Sequence, residues 1–560
     1  MLKQVQHDAL TNGNFLTTPK NELLFLALGG SDEIGMNVNL YGCDGKWLMV
    51  DLGLTFAGSE YPGVDLVLPD LEFIEKRRKD LVGIVLTHGH EDHIGAIPYL
   101  AADLGVPLYA NPFTATLIRG KLEEEGLSKE VKLHVVKPGQ KLQLGPFGLE
   151  LVRLAHSIPD MDAALIDTPY GRVFHTGDWK LDDDQVLGVS ATETEMRAIG
   201  DKGILALVCD STNAFNNEAS GTEGSVRDGL MKAVGAAQGR VIVTSFASNA
   251  ARLATLGQVA KATGRTLTVA GRSLDRIIGA ARQNGYLKDF PDTVDFDTAM
   301  RLPGNKSLVI ATGGQGEDRA ALARIAFDQH QIKVSEGDTI IFSSKQIPGN
   351  EVAIGRIQNA LARKNVLMVT EKQAHVHVSG HPGRPELAKM YEWIRPEMLI
   401  PVHGERRHMA EQARFGLSEG VPRALIQSNG DVVRLAPKGP SIMAKERTGR
   451  LVLDGDVILP ANGSTIGERR RLAEYGVISV AIAVDRSWQL VGSPEVRIQG
   501  VPVEEDREDF LAEARDEAAA AVGKERSEDK LREKIRLAVR RVATDWTGKK
   551  PVVEVMVLQA

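Results

Sequence analysis

The sequence is poor in cysteine and contains no long apolar run. Among its 560 residues the only cysteines are Cys43 and Cys209, and both lie in or beside apolar stretches. We therefore expect small core residues in a reducing compartment, with neither a disulfide nor a thiolate metal site. Leu23–Leu28 is far too short to cross a bilayer, which needs about 20 apolar residues. Met1–Phe15 has no apolar stretch of the signal-peptide type, so we expect a cytoplasmic protein with no membrane partner.

Two other features are missing. The loop Gly29–Gly35 is rich in glycine, but no Gly-x-x-x-x-Gly-Lys-Ser/Thr motif follows any strand-like run, so ATP binding by a P-loop is not predicted. The net charge of −7 does not by itself suggest a nucleic-acid binder, because phosphate contacts need Lys and Arg. The basic clusters Arg406–His408 and Arg469–Arg471 are typical of solvated surface. A cleft can still be locally positive on an acidic protein.

The sequence does contain a dense cluster of metal-type residues, Thr87-His88-Gly89-His90-Glu91-Asp92-His93, directly after the apolar run Leu81–Leu86. Imidazole nitrogens and carboxylate oxygens are the usual ligands of zinc, and a His-x-His pair can meet one ion from a turn. A helical zincin motif would place two histidines four residues apart, whereas Gly89 and the preceding β-like run favour a loop at a strand end. We predict a strand that delivers a metal loop.

Three more apolar runs end in residues of the same kind. Leu149–Ala155 is followed by His156, Val173–Phe174 leads to Asp178, and Met398–Val402 is followed by His403. Ligands collect at the carboxyl ends of strands in open α/β sheets, so this repeated order has a geometric reason. The candidate ligands are sufficient for two ions: His88, His90, Asp92, His93, His156, Asp178 and His403.

These residues resemble the signature of the metallo-β-lactamase fold. Asp210–Asn213, Ser379–His381 and Pro401–Glu405 resemble the added motifs of the β-CASP nucleases. From about Leu23 to its end, the chain is similar to the ribonuclease J family of bacteria. Supporting segments are Gly29–Asn37, Thr312–Glu317 and Ser343–Glu351. The chain departs from the family pattern at Gly314, where serine is expected, and at Asp318, where proline is common; both concern one loop of the inserted domain.

The resemblance implies an α/β fold: a metallo-β-lactamase αββα sandwich, an inserted doubly wound β-CASP domain and a small α+β C-terminal domain. The corresponding ranges are 1–223 and 367–433 for the sandwich, 224–366 for the insertion, 434–450 for a linker and 451–560 for the last domain. Alternating strand-like and helix-like stretches agree with this division, and they include predicted strands at Thr266–Ala270, Ser307–Ala311 and Val477–Val484 and a helix from about Glu528 to Val542. Pro437 and Pro440 indicate a connection in the linker. We expect the active site at the junction of the first two domains.

The resemblance also implies two Zn²⁺ per subunit, with Mn²⁺ or Mg²⁺ as alternatives. One ion would take His88, His90 and His156, the other Asp92, His93 and His403, and the catalytic Asp178 would bridge them. Two ions can activate water and stabilise the attacking and leaving oxygens at phosphorus, so phosphodiester hydrolysis is the natural reaction. Asp210 would orient an imidazole or steer protons, and His381 would act as general acid or stabilise the leaving group.

Two segments resemble the family's contacts to the 5′ phosphate and nucleotide. They are Ala247, Ser248 and Asn249, and His377, Val378, Ser379, Gly380 and His381. Hydroxyl and amide groups suit a terminal phosphate without demanding a base sequence. His175, although close to Asp178, is interpreted as structural or as a partner of a ligand. His134, His330 and His408 have no partner motif.

The resemblance implies a ribonuclease that degrades RNA from a 5′-monophosphate end and also cleaves internally, in RNA maturation and mRNA decay. Histidine at position 403 accompanies RNA substrates in this group. A homodimer or homotetramer through the C-terminal domain and an RNA-decay complex are expected. Three alternatives stay open: an endonuclease without exonuclease activity, a small-molecule metallo-hydrolase, which would not need the insertion or His381, and a silent RNA-binding scaffold, which would be expected to have lost ligands.

Overall fold

The computed structural model describes residues 20–346, 349–523 and 525–559. The expectation for Met1–Phe15 lies outside these ranges. The described residues form a larger unit, residues 20–55 and 68–449, and a smaller unit, residues 56–67 and 450–559. Within the described ranges, every helix is either too short or too polar to cross a membrane.

The strands are numbered in chain order through both units. Up to residue 175 they are β1 Leu23–Gly29, β2 Val38–Cys43, β3 Lys46–Val50, β4 Thr55–Phe56, β5 Leu66–Pro69, β6 Leu81–Leu86, β7 Leu108–Ala110, β8 Leu133–Val135, β9 Lys141–Leu144, β10 Phe147–Arg153, β11 Asp162–Thr168 and β12 Gly171–His175. The later strands are β13 Ala206–Asp210, β14 Val241–Thr244, β15 Thr266–Ala270, β16 Ser307–Ala311, β17 Thr339–Phe342, β18 Leu367–Val369, β19 Met398–Val402, β20 Asp431–Ala436, β21 Ser441–Lys445, β22 Arg450–Asp454, β23 Val457–Pro460, β24 Val477–Val484, β25 Leu490–Gln499 and β26 Val552–Gln559.

The helices alternate with these strands along most of the chain. They are α1 Glu72–Glu75, α2 Glu91–Ile94, α3 Ile97–Leu104, α4 Pro112–Glu124, α5 Glu193–Asp201, α6 Glu223–Ala236, α7 Ala250–Thr263, α8 Arg272–Gln283, α9 Phe296–Arg301, α10 Ala321–Ala326, α11 Glu351–Ala362, α12 Arg384–Ile394, α13 Arg406–Ser418, α14 Ser464–Tyr475, α15 Arg507–Val522 and α16 Glu528–Thr547, with a 3₁₀ turn at Gly304–Lys306.

Two sheets of the larger unit share one buried core. One has eight strands in the order β21-β20-β1-β2-β3-β6-β7-β8, and the other has six in the order β19-β13-β12-β11-β10-β9. Phe25 and Val50 of the first sheet belong to the same apolar cluster as Val173 and Ile400 of the second. Each such side chain contributes about 1.5–3 kcal/mol when fully buried. The two inner faces therefore hold the sheets together.

Helices cover the outer faces of both sheets. Trp47 points from β3 away from the shared core and its ring meets that of Phe73 in α1 edge to face, with centroids 5.2 Å apart. On the other side, Leu207 and Leu399 pack with Met390 of α12. Strands buried on both faces read as continuous apolar runs, as β1 does. The predicted αββα sandwich is confirmed.

The insertion contains a parallel sheet of five strands in the order β15-β16-β14-β17-β18. Its strands alternate along the chain with α7 to α11. The predicted strands Thr266–Ala270 and Ser307–Ala311 are confirmed at both ends. Because all five strands run the same way, the loops that follow β14, β16 and β17 emerge at one edge of this sheet.

In the smaller unit, β24 lies between β25 and β26 in a three-stranded sheet, and β23, β22, β5 and β4 form a sheet of four strands. Residues of α15 and α16 share an apolar core with β24 and β25. The predicted strand Val477–Val484 has those bounds. The helix predicted to end near Val542 continues to Thr547. This part of the fold is the small α+β domain that was expected.

The predicted domain boundaries stay predictions, but two segments differ from the elements expected there. Residues 434–450 were expected to form a linker, yet Ser441–Lys445 is the edge strand of the eight-stranded sheet and pairs with β20. Pro437 and Pro440 lie in the turn of this hairpin instead of marking an extended connection. Similarly, Leu367–Val369 pairs with β17 and therefore belongs to the inserted sheet.

Candidate metal centre

The candidate ligands meet where four strands end, namely β6, β10, β12 and β19. β6 runs directly into the loop that carries His88 and His90, and His93 lies in the short helix α2. β12, β13 and β19 are parallel neighbours, so Asp178, at the turn after β12, and His403, directly after β19, emerge at the same edge of the six-stranded sheet. The sequence prediction that strand ends deliver these side chains to one place agrees with this geometry.

We call His88, His90, His156 and Asp178 the first donor group. The Nε2 atom of His88 lies 3.0 Å from Nδ1 of His90, which lies 3.2 Å from Nε2 of His156. The Oδ2 atom of Asp178 lies 3.8 Å from His88 Nε2 and 3.9 Å from His156 Nε2. Three imidazole nitrogens and one carboxylate oxygen therefore face a common point.

The second donor group consists of Asp92, His93, His403 and, again, Asp178. The Nε2 atom of His93 lies 3.2 Å from Asp178 Oδ1, and that of His403 lies 3.5 Å from Asp178 Oδ2. The Oδ2 atom of Asp92 lies 3.7 Å from His93 Nε2 and 3.9 Å from His403 Nε2. Asp178 is thus common to both groups.

The spacing of these atoms fits divalent cations. Four ligands arranged tetrahedrally at the usual zinc–nitrogen distance are separated by roughly 3.3 Å, close to the nitrogen separations in the first donor group. In the second group, the buried Oδ1 atom of Asp178 has no hydrogen-bond partner among the described residues and lies 3.2 Å from His93 Nε2. A buried carboxylate oxygen without a donor is costly unless a cation satisfies it. The residues present therefore fit a metal ion.

Burial keeps the imidazoles of the first group neutral. It lowers the pKa of His90 to about 4 and lowers the pKa values of His88 and His156 as well, with neighbouring histidines adding to the shift for all three. Burial also opposes the charged form of His93, but Asp178, Asp92 and Asp51 outweigh it and raise its pKa. Neutral imidazole is the form that binds metal, so the first group is ready for an ion over the neutral range.

Sequence reasoning missed Asp51, which supports both groups from behind. Its buried carboxylate accepts a hydrogen bond from His93 and also from the Thr87 hydroxyl, 2.9 Å away. The Thr87 oxygen lies 3.0 Å from His88 Nδ1, so it can accept that proton in turn. Such partners fix the ring orientation and tautomer of a ligating histidine. The available signal was the run Trp47–Val50 followed by Asp51, the same order that identified the ligands.

His156 joins the metal centre to the predicted phosphate loop, residues 377–381. Its Nδ1 atom donates to the carbonyl oxygen of Gly380 over 2.6 Å, which leaves Nε2 free to face the first donor group. A Cβ atom at position 380 would lie 2.8 Å from the His156 ring. The close approach therefore requires glycine.

The predicted pair Asp210 and His381 is in direct contact. His381 Nδ1 donates to Asp210 Oδ2 over 2.7 Å, and the other carboxylate oxygen accepts from the backbone N–H of Thr212 over 2.8 Å. Burial disfavours the charged imidazole, but Asp210 outweighs this effect and raises the pKa of His381 to about 9. The His381 ring stacks on that of His403 with centroids 5.5 Å apart. A protonated imidazole thus lies beside the donor groups.

The phosphate loop is held at both ends. Asn213 donates to the Ser379 hydroxyl over 2.7 Å and to the His381 carbonyl over 3.0 Å. Before the loop, the carbonyl of Val376 accepts from Arg252, 3.0 Å away, and from Ser343, 2.7 Å away, both in the inserted domain. The loop therefore connects the carboxyl edge of the inserted sheet with the metal centre.

The remaining residues predicted to contact phosphate or nucleotide differ in how far their side chains are buried. Val378 is buried, so its side chain is turned away from solvent. Burial, with Arg252 and Lys345 nearby, lowers the pKa of His377 to about 3, so its ring is neutral. Ala247 and Ser248 are half-buried in the loop after β14. The Asn249 side chain caps α7 by accepting from the backbone N–H of Arg252 over 2.8 Å, a structural role that the sequence did not indicate.

The histidines and cysteines set aside in the sequence make no hydrogen bond or ring contact with either donor group among the described residues. His175 is buried, with its Nδ1 atom 2.8 Å from the Tyr41 hydroxyl. His134 stacks on Tyr109, His330 contacts Phe296 and His408 contacts Phe215. Cys43 and Cys209 are free and buried, as expected for core residues.

Comparison with known proteins agrees with this architecture. The metallo-beta-lactamase superfamily matches residues 35–202, the Ribonuclease J beta-CASP domain 238–361, the Zn-dependent metallo-hydrolase RNA specificity domain 368–420 and the Ribonuclease J C-terminal domain 464–560. Ribonuclease J of Sinorhizobium meliloti is 42% identical over 547 residues, which cover 96% of this chain and 97% of the relative. The chain belongs to the ribonuclease J family. Ribonuclease J of Mycolicibacterium smegmatis is 38% identical, over 93% of this chain and 94% of its own.

Membership in the ribonuclease J family makes the chain a metal-dependent ribonuclease whose substrate is RNA. Among solved structures, a protein of unknown function from Enterococcus faecalis matches with a TM-score of 0.52 at 16% identity, over 74% of this chain and 100% of that one. At this identity the likeness concerns the fold alone. Membership in the ribonuclease J family is the reason for setting aside the small-molecule hydrolase and the silent scaffold.

Proposed function

We propose that the chain is a dizinc ribonuclease that degrades RNA 5′→3′ from 5′-monophosphate ends and also cleaves internally. The observation that carries this proposal is the bond between His156 and Gly380. It ties a donor group to a loop whose other end is held by the inserted domain. A terminal phosphate in that loop would set the scissile bond at a fixed distance from the metal centre.

The donor groups would hold two ions, with Asp178 shared between them. When bound, such a pair supplies a water of lowered pKa and stabilises charge on the attacking and leaving oxygens. The chain's own contribution is to hold His88, His90 and His156 neutral and to fix His93 through Asp51. We assign zinc because three nitrogen donors meet in the first group, and Mn²⁺ or Mg²⁺ are the alternatives for the oxygen-richer second group.

His381 would protonate the leaving oxygen. Its Nδ1–H is engaged by Asp210, so Nε2–H is the proton that is available for transfer. Asp210 in turn is oriented by Thr212. Replacing such a general acid typically lowers the rate by about 10²–10⁴-fold.

The terminal phosphate would be received by the backbone and hydroxyl groups of His377, Ser379 and Gly380, with Ser248 from the inserted domain. Val378 and Asn249 would support the loop from buried positions, since their side chains are turned inward. Neutral donors of this kind recognise a phosphate without reading the bases. Ala247 would contribute backbone only.

We further propose a cytoplasmic enzyme of RNA maturation and mRNA decay that forms a homodimer or homotetramer through its C-terminal domain and joins an RNA-decay complex. The proposed domain ranges are 1–223 and 367–433 for the sandwich, 224–366 for the insertion and 451–560 for the last domain, except that Leu367–Val369 joins the inserted sheet and Ser441–Lys445 joins the eight-stranded sheet.

Digestion of one RNA labelled at either end, with a 5′-monophosphate or a 5′-triphosphate, tests the proposed function. The wild-type protein is compared with Asp178→Ala and His381→Gln, and with His134→Ala as a matched histidine variant far from the site. Mononucleotides should be released faster from the monophosphate, and both site variants should lose this release while His134→Ala retains it. If only products of internal cleavage form, the chain is an endonuclease without exonuclease activity.

A further inference from the structure

The basic side chains in the second half of α16 differ in their ion pairing from those in its first half. Near the start of the helix, Lys534 pairs with Glu525 over 3.2 Å, Arg536 pairs with Glu533 over 2.6 Å, and Arg532 pairs with Glu528. These cations are neutralised locally. They have the ordinary arrangement of an exposed helix, in which opposite charges lie one turn apart.

No direct ion pair forms at Arg540, at Arg541 or at Lys550 just beyond the helix, among the residues that the structure describes. Arg540 interacts with the Glu533 carboxylate only at longer range. Arg541 and Lys550 are exposed, and the Nε atom of Arg540 is buried without a hydrogen-bond partner among the described residues. Cations near a helix C-terminus are favoured by the helix dipole, but this explains neither Lys550, outside the helix, nor the buried donor of Arg540.

These three cations line one shallow surface depression, which we call the α16 groove: Leu537, Arg540, Arg541, Thr544 and Lys550, with a volume of about 280 Å³. Positions 537, 540, 541 and 544 share a helix face because they are three, four and seven residues apart. Leu537 is 47% exposed and offers an apolar surface beside the cations. The lining thus combines three positive charges, a hydroxyl and one apolar side chain.

We propose that the α16 groove binds the sugar–phosphate backbone of RNA, at a site made entirely from the smaller unit. On a chain with a net charge of −7, three cations on one surface form a local positive patch, which suits a polyanion. One exposed leucine is too little for the apolar centre of a stable protein interface, which buries about 800 Å² per partner. The inference rests on RNA being the substrate and not on the direction of cleavage.

Backbone contacts of this kind make binding sensitive to salt. Each phosphate contacted by a cation adds about 0.7 to the slope of log affinity against log salt for a single strand, so three contacts add about 2. Contacts to phosphate carry no sequence information, so the contribution should be independent of sequence. It should also increase with RNA length, because a longer strand offers more phosphates for backbone contacts.

The test is fluorescence anisotropy of a labelled single-stranded RNA of about 30 nucleotides with the full chain carrying Asp178→Ala, which preserves the RNA. The groove variant Arg540→Gln/Arg541→Gln/Lys550→Gln is compared with Arg532→Gln/Lys534→Gln/Arg536→Gln, which removes the same charge from paired positions on the same helix. The groove variant should bind about tenfold more weakly at low salt, with the slope reduced by about 2. The control variant should keep the slope of the parent.

An equal loss of RNA affinity in both variants would mean that only overall charge matters, and it would overturn the proposal. A groove variant that binds RNA like the parent would also overturn it. A change of sedimentation in the groove variant alone, with RNA binding intact, would make the groove a protein contact instead. If the triple variant does not fold, Arg541→Gln/Lys550→Gln alters two exposed side chains and should reduce the slope by about 1.4. Because no cleavage is measured, these outcomes are separate from failure of the proposed exonuclease.

Discussion

The two donor groups share Asp178 but differ in chemistry. The first combines three imidazoles with one carboxylate, and the second combines two imidazoles with two carboxylates. In the first group, His88 and His156 are backed by neutral oxygens, those of Thr87 and Gly380, whereas His93 in the second is backed by the carboxylate of Asp51. The second group is therefore richer in oxygen and negative charge, so harder ions suit it better.

Loss of the shared residue should have the largest effect. Asp178→Ala removes a carboxylate from both groups, so we expect activity below detection and loss of metal from both positions. Metal content by mass spectrometry and RNA hydrolysis measure the two effects. Chelation should lower the melting temperature of the wild type, because a ligand at 100 times its Kd stabilises by about 2.7 kcal/mol, and should leave that of Asp178→Ala unchanged. A variant that retained both ions would contradict the shared role.

Residues that belong to one group only should separate the two positions. His90→Ala should lower affinity for one ion and Asp92→Ala for the other, each with severe loss of activity. Titration of the metal-free variants with Zn²⁺ and Mn²⁺ checks this. We expect the position that survives in His90→Ala to accept Mn²⁺ more readily than the one that survives in Asp92→Ala. If both variants show the same preference between Zn²⁺ and Mn²⁺, the two donor groups do not differ in the metal they select.

Asp51→Asn tests the support of the second group. The amide cannot replace the carboxylate that fixes His93, so we expect about 10–100-fold weaker binding of one ion. Asparagine and aspartate have nearly the same volume, so the substitution limits structural damage. Affinity is measured by competition with a chelating dye, and thermal unfolding of the metal-free proteins provides the control. Equal weakening of both ions would mean that Thr87 transmits the effect to His88.

Thr87→Val should have the smallest effect and should act on the first group. Valine has the shape of threonine but cannot accept the proton from His88 Nδ1, so we expect a loss in affinity of no more than about tenfold. Thr87→Ser keeps the hydroxyl and should retain most of the affinity. The same dye competition measures both variants. A serine variant as weak as the valine variant would attribute the effect to packing.

The ligands could be predicted because they follow apolar runs, and a polar side chain excluded from the apolar core lies just beyond the end of the buried strand. The same reasoning could have found Asp51 after β3, but a single acidic residue at a strand end is common and has no neighbouring histidine in sequence. Asn37, whose side chain lies about 3 Å from His403 Nδ1, was visible only as part of a resemblance. Partners distant in the chain leave no local pattern.

The inserted strands were found accurately because parallel strands buried on both faces are short apolar runs bounded by turn residues. The hairpin of β20 and β21 was missed for the opposite reason. β21 is an edge strand with several exposed residues, and its two prolines indicated a connection. Pairing with a neighbouring strand, which decides such segments, is not visible in the sequence around them.

The order of the donor residues along the chain has a consequence for synthesis. His88 to Asp178 precede the inserted domain, and His403 follows it, together with β20, which pairs with the first strand of the chain. A chain emerging from the ribosome therefore lacks both the last donor and one of the two neighbours of β1 until the insertion and the residues after it have been made. The ribosome is itself largely RNA, and during most of translation it holds a nuclease that cannot yet assemble its metal centre.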